Sequence, residues 1–319
     1  MDKADHNEGK VRRVGLVPLP GFAMMSFAAL SEPMRAANLL AGRDLYQMMC
    51  LSIDGAPVQS SGPGLMNVDA ALSPNQKLDD VFLVAGGDPA RFEERGLMTW
   101  LSRQARQGAV IGGVSGGPVI LARAGLMTGR RMTVHWEHVA ALAEISPHLA
   151  IERSLYVIDR DRVTCAGGTA PLDLMHALIA KHHGAELARQ VTDWFMHTEI
   201  RPSAGPQRSG MVERVGTSVP AIIDAIAAME AHVSDPLNLD DLAARAGLSK
   251  RQLNRLFRDR MRQSVMTYYR TLRLEKARSL LRTSPLRLTE IALATGFANS
   301  SHFSRSYTAQ FGEPPSAYH

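Results

Sequence analysis

With 319 residues, 45% of them hydrophobic and 21% charged, the chain is too long for one comfortable core and has the composition of ordinary folded protein, which excludes general disorder and points to two domains. The net charge of +5 is unevenly spread: residues 211–319 hold 15 Lys/Arg against 10 Asp/Glu, leaving 21 against 21 before them, so a polyanion would meet only the last third. The polar start, Met1 to Lys10, has no apolar signal stretch, and no window reaches the ~18 apolar residues of a membrane span. The expectation is a cytoplasmic protein with no membrane partner and a disordered segment over residues 1–10.

Short runs rich in Val, Ile and Leu follow, at Val14 to Val17, Met48 to Ile53, Val81 to Val84 and Val110 to Val114. Helix-period segments such as Ala28 to Leu40 and Gly117 to Ala124 lie between them. That alternation predicts an α/β domain with a mostly parallel sheet and helices on both faces. Leu155 to Ile158 and Arg162 to Cys165 flank an Asp-Arg-Asp turn as a hairpin, and a helix is expected from Ala170 to His183. Cys50 and Cys165 sit in apolar strands without CxxC or Cys/His spacing, so no disulfide, metal site or cofactor is expected.

The Pro/Gly/Ser stretch from Arg201 reads as a linker over residues 201–218. Beyond it every segment has helical spacing, and two segments match: Leu242 to Phe257 and Ile291 to Tyr307. Each has an apolar-Ala start, a glycine (Gly247, Gly296), a polar cap (Ser249, Asn299 or Ser300) and an apolar pair four residues apart (Leu253/Phe257, Phe303/Tyr307). These are the parts of a helix-turn-helix: the glycine ends the first helix at positive φ, the cap starts the second, and the apolar pair locks it down. An all-α domain over 219–319 is expected, with units at about 239–261 and 288–311. The free face of the first recognition helix offers Lys250, Arg251, Asn254, Arg255 and Arg258, and that of the second Ser300, Ser301, His302 and Arg305, side chains suited to base edges and phosphates of double-stranded DNA. A helix over 265–282 would span ~27 Å and hold the two units roughly one DNA turn (~34 Å) apart. The turns are unequal, six positions from Gly247 to Leu253 and seven from Gly296 to Phe303. The second recognition helix is therefore expected to enter its groove at a different angle or register.

The tail resembles the AraC/XylS family of bacterial regulators, most specifically in Gly296-Phe-Ala-Asn-Ser-Ser-His-Phe-Ser-Arg-Ser-Tyr-Thr-Ala-Gln-Phe-Gly-Glu-Pro-Pro-Ser-Ala-Tyr318, with His319 where such sequences often place arginine. The resemblance covers 219–319 and implies a sequence-specific transcription regulator.

In the front domain, Gly112-Gly-Val-Ser115-Gly-Gly-Pro lies where a strand feeds a helix, like a nucleophile elbow, and His135 follows in Thr133-Val-His-Trp-Glu137. Ser115 and His135 are open to two readings: an active Ser/His hydrolase or amidase with a DNA-binding appendage, or glycines that serve only tight strand-to-helix packing. Residues 11–200 resemble the class I glutamine amidotransferase-like superfamily of ThiJ/PfpI type, in the version fused to AraC-type tails. The matching stretches are Glu32 to Asn38, the elbow, Leu121 to Leu126, His135 to Glu137 and Thr164 to Asp173. Catalytic members resembling this pattern carry a cysteine at the elbow and a carboxylate at the place aligned with Ser26; serine in both places implies a shape kept and chemistry lost. The resemblance implies a non-enzymatic sensor: a ligand-responsive activator of a catabolic operon for a betaine, carnitine-like amine or arginine-like metabolite. RNA polymerase and a second copy of the chain would be its partners. The residues implied for the effector are Ser26, Phe27, Glu32, Ser115, His135 and Trp136, with the aromatic rings stacking on a cation and Glu32 balancing its charge.

Overall fold

A computed structural model describes residues 10–208, 210–284 and 286–318. Residues 1–207 and 208–319 form two compact units. The segment expected to be disordered lies outside the described residues except for Lys10, whose ammonium pairs with Asp79 at 2.6 Å.

In the first unit the chain runs β1 (Arg12–Pro18), α1 (Met24–Ala41), β2 (Tyr46–Ser52), β3 (Val58–Gln59), β4 (Leu65–Met66), β5 (Ala70–Ala71), β6 (Asp80–Ala85), α2 (Arg95–Arg106), β7 (Val110–Ser115) and α3 (Gly117–Arg123). It continues through β8 (Arg131–Met132), α4 (Val139–Ile145), β9 (Ala150–Ile151), β10 (Tyr156–Asp159), β11 (Arg162–Cys165), α5 (Ala170–His183) and α6 (Ala185–Trp194). Among the described residues one seven-stranded sheet has the order β10-β11-β7-β6-β1-β2-β5, parallel except where β10 meets β11. This is the expected α/β architecture.

Alternation along each strand sends side chains into two cores. Val14, Leu16, Phe82, Val84 and Val114 join Leu30, Met34, Leu174 and Val191 beneath α1, α5 and α6. Val17, Val81, Leu83 and Ile111 join Leu97, Leu101, Ile120 and Leu142 beneath α2, α3 and α4. A sheet buried on both faces needs near-continuous apolar strands, which is why the short Val/Ile-rich runs are legible as strands at all.

The second unit is helical: α7 (Met211–Val215), α8 (Pro220–Ala231), α9 (Leu239–Arg245), α10 (Lys250–Met261), α11 (Val265–Thr283), α12 (Leu288–Ala294) and α13 (Ser300–Phe311), closed by a 3-10 turn over Pro315–Tyr318. Ile222, Met229, Leu242, Leu253, Phe257 and Tyr269 form its main core. The rings of Phe297, Phe303, Tyr307 and Phe311 follow one another at 5.4, 5.7 and 4.6 Å in the second lobe. Polar caps start the helices: Asn238 for α9, Ser264 for α11, a Ser249/Gln252 capping box for α10 and Asn299 for α13.

The stretch expected as a linker is largely engaged. Arg201 pairs with Asp173, Gln207 is hydrogen-bonded to Thr133, Val134 and Ser154, and Met211 and Val215 pack on the core of the second unit. Its Pro and Gly content marks the irregular backbone of 201–208, not an absence of contacts, and the rest of the stretch holds the short helix α7.

Candidate functional site

The two recognition helices present matched faces. Along 251–260 and 301–310 the sequence of exposed, half-buried and buried positions is the same, with Leu253/Phe257 and Phe303/Tyr307 buried. Gly247 and Gly296 both hold positive φ, at 66° and 72°. Ser249 Oγ accepts the Gln252 N–H at 3.3 Å, and Asn299 Oδ1 accepts the His302 N–H at 2.8 Å. The cap-to-lock spacing is therefore equal in both helices, and the extra residue of the second unit lies wholly in its turn. It does not rotate the exposed face relative to the buried one.

Arg251, Arg255, Arg258, Ser301, His302 and Arg305 are exposed on these faces. Among the described residues the four arginines have no ion-pair partner, so their guanidinium groups are available to phosphates and base edges. Lys250 pairs with Asp240 at 2.9 Å yet keeps 55% of its side chain exposed. Ser300 is half-buried at the first helical position. The His302 ring stands edge-on to Phe297 at 5.6 Å. Asn254 departs from expectation: it is half-buried and its Oδ1 accepts the Val265 N–H at 3.2 Å. Its side-chain oxygen is engaged at the start of α11, because the back of α10 faces the connector. Charge divides unevenly, +5 over residues 250–262 against +1 over 300–311.

At the carboxyl end of β7, Ser115 holds a left-handed backbone (φ 60°) and is 7% exposed, the strained turn of a nucleophile elbow. Glycines make room for it. A Cβ on Gly117 or Gly113 would strike the backbone of Leu83 or Pro118, and one on Gly167 (φ 92°) would lie 2.7 Å from Ser115 Cβ and 3.0 Å from Ser26 Oγ. Ser26, fully buried, accepts the Gly168 N–H at 2.8 Å. The two serines thus flank one glycine loop at the start of α5.

His135 reaches the elbow through its backbone, its N–H donating to Ser115 O at 3.3 Å. Its ring turns elsewhere: Nδ1 accepts the Glu137 N–H at 3.4 Å and lies 3.8 Å from Glu137 Oε2. Among the described residues no hydrogen bond joins the Ser115 hydroxyl to this ring. Burial pushes the His135 imidazole below its ordinary range, with Glu137 opposing, and burial first and His135 second push His138 down to about 4. The Trp136 ring is 40% exposed and lies 5.3 Å from that of His135.

Two expected effector contacts are not brought to this site. Phe27 is buried against Phe22, ring centroids 5.5 Å apart, inside the core beneath α1. Glu32 pairs with Arg35 at 2.6 Å on the helix surface. Six residues from Ser26 is about 9 Å along α1 and about 120° around it, so Glu32 does not share the direction of Ser26. Residues unassigned by sequence reasoning are Glu137, Gly167 and Gly168. The paired glycines before a helix were the available signal, since adjacent glycines there permit both positive φ and close approach. The other cleft of note, lined by Lys10, Arg12, Arg13, Lys77 and Asp79, lies at the amino ends of the strands, opposite the elbow.

Known proteins resemble both units. Residues 23–181 match the DJ-1/PfpI family, and residues 242–319 match the helix-turn-helix domain. The HTH-type transcriptional regulator GlxA of Rhizobium meliloti is 42% identical over 98% of this chain and 97% of its own length. The HTH-type transcriptional regulator CdhR of Pseudomonas aeruginosa is 44% identical over 93% and 88%. The crystal structure of an AraC family transcriptional regulator from Pseudomonas putida, 29% identical, superposes with a TM-score of 0.53 over 58% of this chain and 99% of that one.

Proposed function

The chain belongs to the family of DNA-binding transcriptional regulators that join a DJ-1/PfpI domain to an AraC-type helix-turn-helix tail, and on that premise we propose that it is a ligand-responsive activator whose front domain is a non-catalytic sensor of a small nitrogenous metabolite. The observation that carries the sensor reading is the elbow itself, where Ser115 keeps the strained turn while the His135 ring bonds Glu137 instead of the serine. A serine without a base to take its proton is a weak nucleophile. The same turn, with its glycine loop, serves recognition.

A betaine, carnitine-like amine or arginine-like compound suits the side chains near the elbow. The exposed Trp136 offers a π face to a cation, Glu137 supplies the counter-charge, Glu32 being already paired with Arg35, and Ser115 and Ser26 provide hydroxyls. Arg251, Arg255, Arg258, Ser301, His302 and Arg305 read DNA, and Lys250 adds phosphate attraction. The regulator works in the cytoplasm as a homodimer through its front domain and recruits RNA polymerase.

A thermal-shift screen of betaines, amines and amino acids on the full chain tests the sensor reading, because a ligand bound only by the folded state raises the melting temperature. Ester or amide turnover that disappears in Ser115→Ala would instead establish the hydrolase.

A further inference from the structure

The last stretch of the first unit, residues 195–207, is tied down at two points. Asp173, fully buried in the first turn of α5, accepts from His197 Nε2 at 2.9 Å, from the Arg201 backbone N–H at 2.9 Å, and from the Arg201 guanidinium at 3.0 and 2.6 Å. Arg201 also donates to Thr169 Oγ1 at 3.0 Å. Six residues on, the Gln207 amide nitrogen lies 3.0 Å from Thr133 Oγ1, 3.1 Å from Val134 O and 2.7 Å from Ser154 O. Between the two points the Leu155 N–H donates to Ser203 O at 2.8 Å.

Both attachments abut the elbow. Val134 O and His135 N–H belong to one peptide group, gripped by Gln207 on its carbonyl side and donating to Ser115 O on the other. Thr169, held by Arg201, directly follows the glycine loop that Ser26 anchors and that presses on Ser115. Any movement of either wall of the elbow must stretch or release one of these bonds. The amide has two hydrogens for three acceptors, and Gln207 Oε1 is buried with no partner among the described residues, so docking at this point is held by partly offset terms rather than locked.

We propose that residues 195–207 form a strap that couples the elbow site to the DNA-binding unit, with Gln207 and the Asp173–Arg201 clasp as its positioning residues. An effector that orders the walls at 133–137 and 167–169 favours the docked strap, and the chain leaving at Gln207 carries that bias to the start of the DNA-binding unit without altering its helices. Coupling of this kind is reciprocal, so loosening the strap must loosen the walls and the reverse. The proposal rests on the sensor reading only for what shifts the equilibrium; the coupling belongs to the chain without effector.

Hydrogen exchange on the full chain, with no effector added, tests it. Ser26→Ala removes the acceptor for Gly168 N–H and is expected to speed exchange at 197–207 at least threefold, leaving α8 to α13 unchanged. Gln207→Glu, which loses the donor at nearly constant shape, is expected to speed exchange at His135 and Gly168 by a similar factor; Gln207→Met is the companion if the carboxylate unfolds the unit. Changes confined to the immediate neighbours of each substitution would overturn the coupling. For the output, affinity for a DNA site selected from a random pool by the wild type is expected to shift at least threefold in Gln207→Glu, and equal affinity would overturn that part. A failed ligand screen together with intact exchange coupling would count against the sensor reading and not against the strap.

Discussion

The Arg273 guanidinium donates to the carbonyls of Thr295 and Gly296 at 2.7 and 2.6 Å and lies 4.4 Å over the Phe297 ring. One side chain of α11 therefore holds the turn of the second helix-turn-helix, and the connector is a clamp as well as a spacer. Arg273→Lys keeps the charge and loses the fork and the planar stack. It is expected to cost about 1–2 kcal/mol of stability and to weaken protection of one half of a footprint while sparing the other. Uniform weakening across the footprint would contradict the assignment.

The two turn glycines look equivalent in sequence and are not equivalent in space. At Gly247 an added Cβ meets nothing within 4 Å, whereas at Gly296 it would lie 2.7 Å from both Pro236 Cδ and Val233 O. Gly247→Ala is expected to cost about 1 kcal/mol, the penalty of left-handed backbone alone. Gly296→Ala should exceed it by roughly 2 kcal/mol or more, since backbone and proline must move. Chemical denaturation of the full chain, followed by a probe in the tail, measures both.

Asn254 and Arg255 are neighbours with opposite fates. Asn254→Ala is expected to lower stability by about 1 kcal/mol through the lost contact with Val265 N–H, with base preference unchanged in a selection experiment. Arg255→Ala and Arg305→Ala are expected to cost about 1–3 kcal/mol on the cognate site and to relax preference at one position each. Because α10 and its cap carry +5 and α13 only +1, the salt dependence of binding should fall further for charge removal on α10.

His138 is buried and held neutral, its value pushed down from 6.5 to about 4. The unfolded chain binds a proton at this site below pH 6.5 that the folded chain refuses until about 4, so stability is fully present above 6.5 and is lost as pH falls through this window. The loss from this residue is roughly 3 kcal/mol by pH 4. His138→Gln, which cannot charge, should flatten the stability profile of the first unit between pH 6.5 and 4; an unchanged slope would assign the pH dependence elsewhere.

What was legible in the sequence follows from locality. The strands of the sheet are short apolar runs because both faces are buried, and the caps Ser249 and Asn299 and the glycines beside them act within a few residues of each other. Spacing alone exposes such features. Phe27, Glu32 and Asn254 have nearby partners that apolar spacing does not show: Phe22 five residues before Phe27, Arg35 one turn along the same helix from Glu32, and Val265 just past the end of α10. Asp173 with Arg201, and Gln207 with Val134, are long-range pairs that no periodicity reveals. A Pro/Gly/Ser run reads as unstructured even where every few residues it is fastened to a domain.

The placement of the additional residue in the second turn, outside both recognition helices, makes their outer faces interchangeable modules. Arg251 and Arg255 stand where Ser301 and Arg305 stand, with the same buried positions beneath them. Transplanting the exposed side chains of α10 onto α13 should leave the scaffold intact and convert a reader of two unlike half-sites into one that prefers a direct repeat.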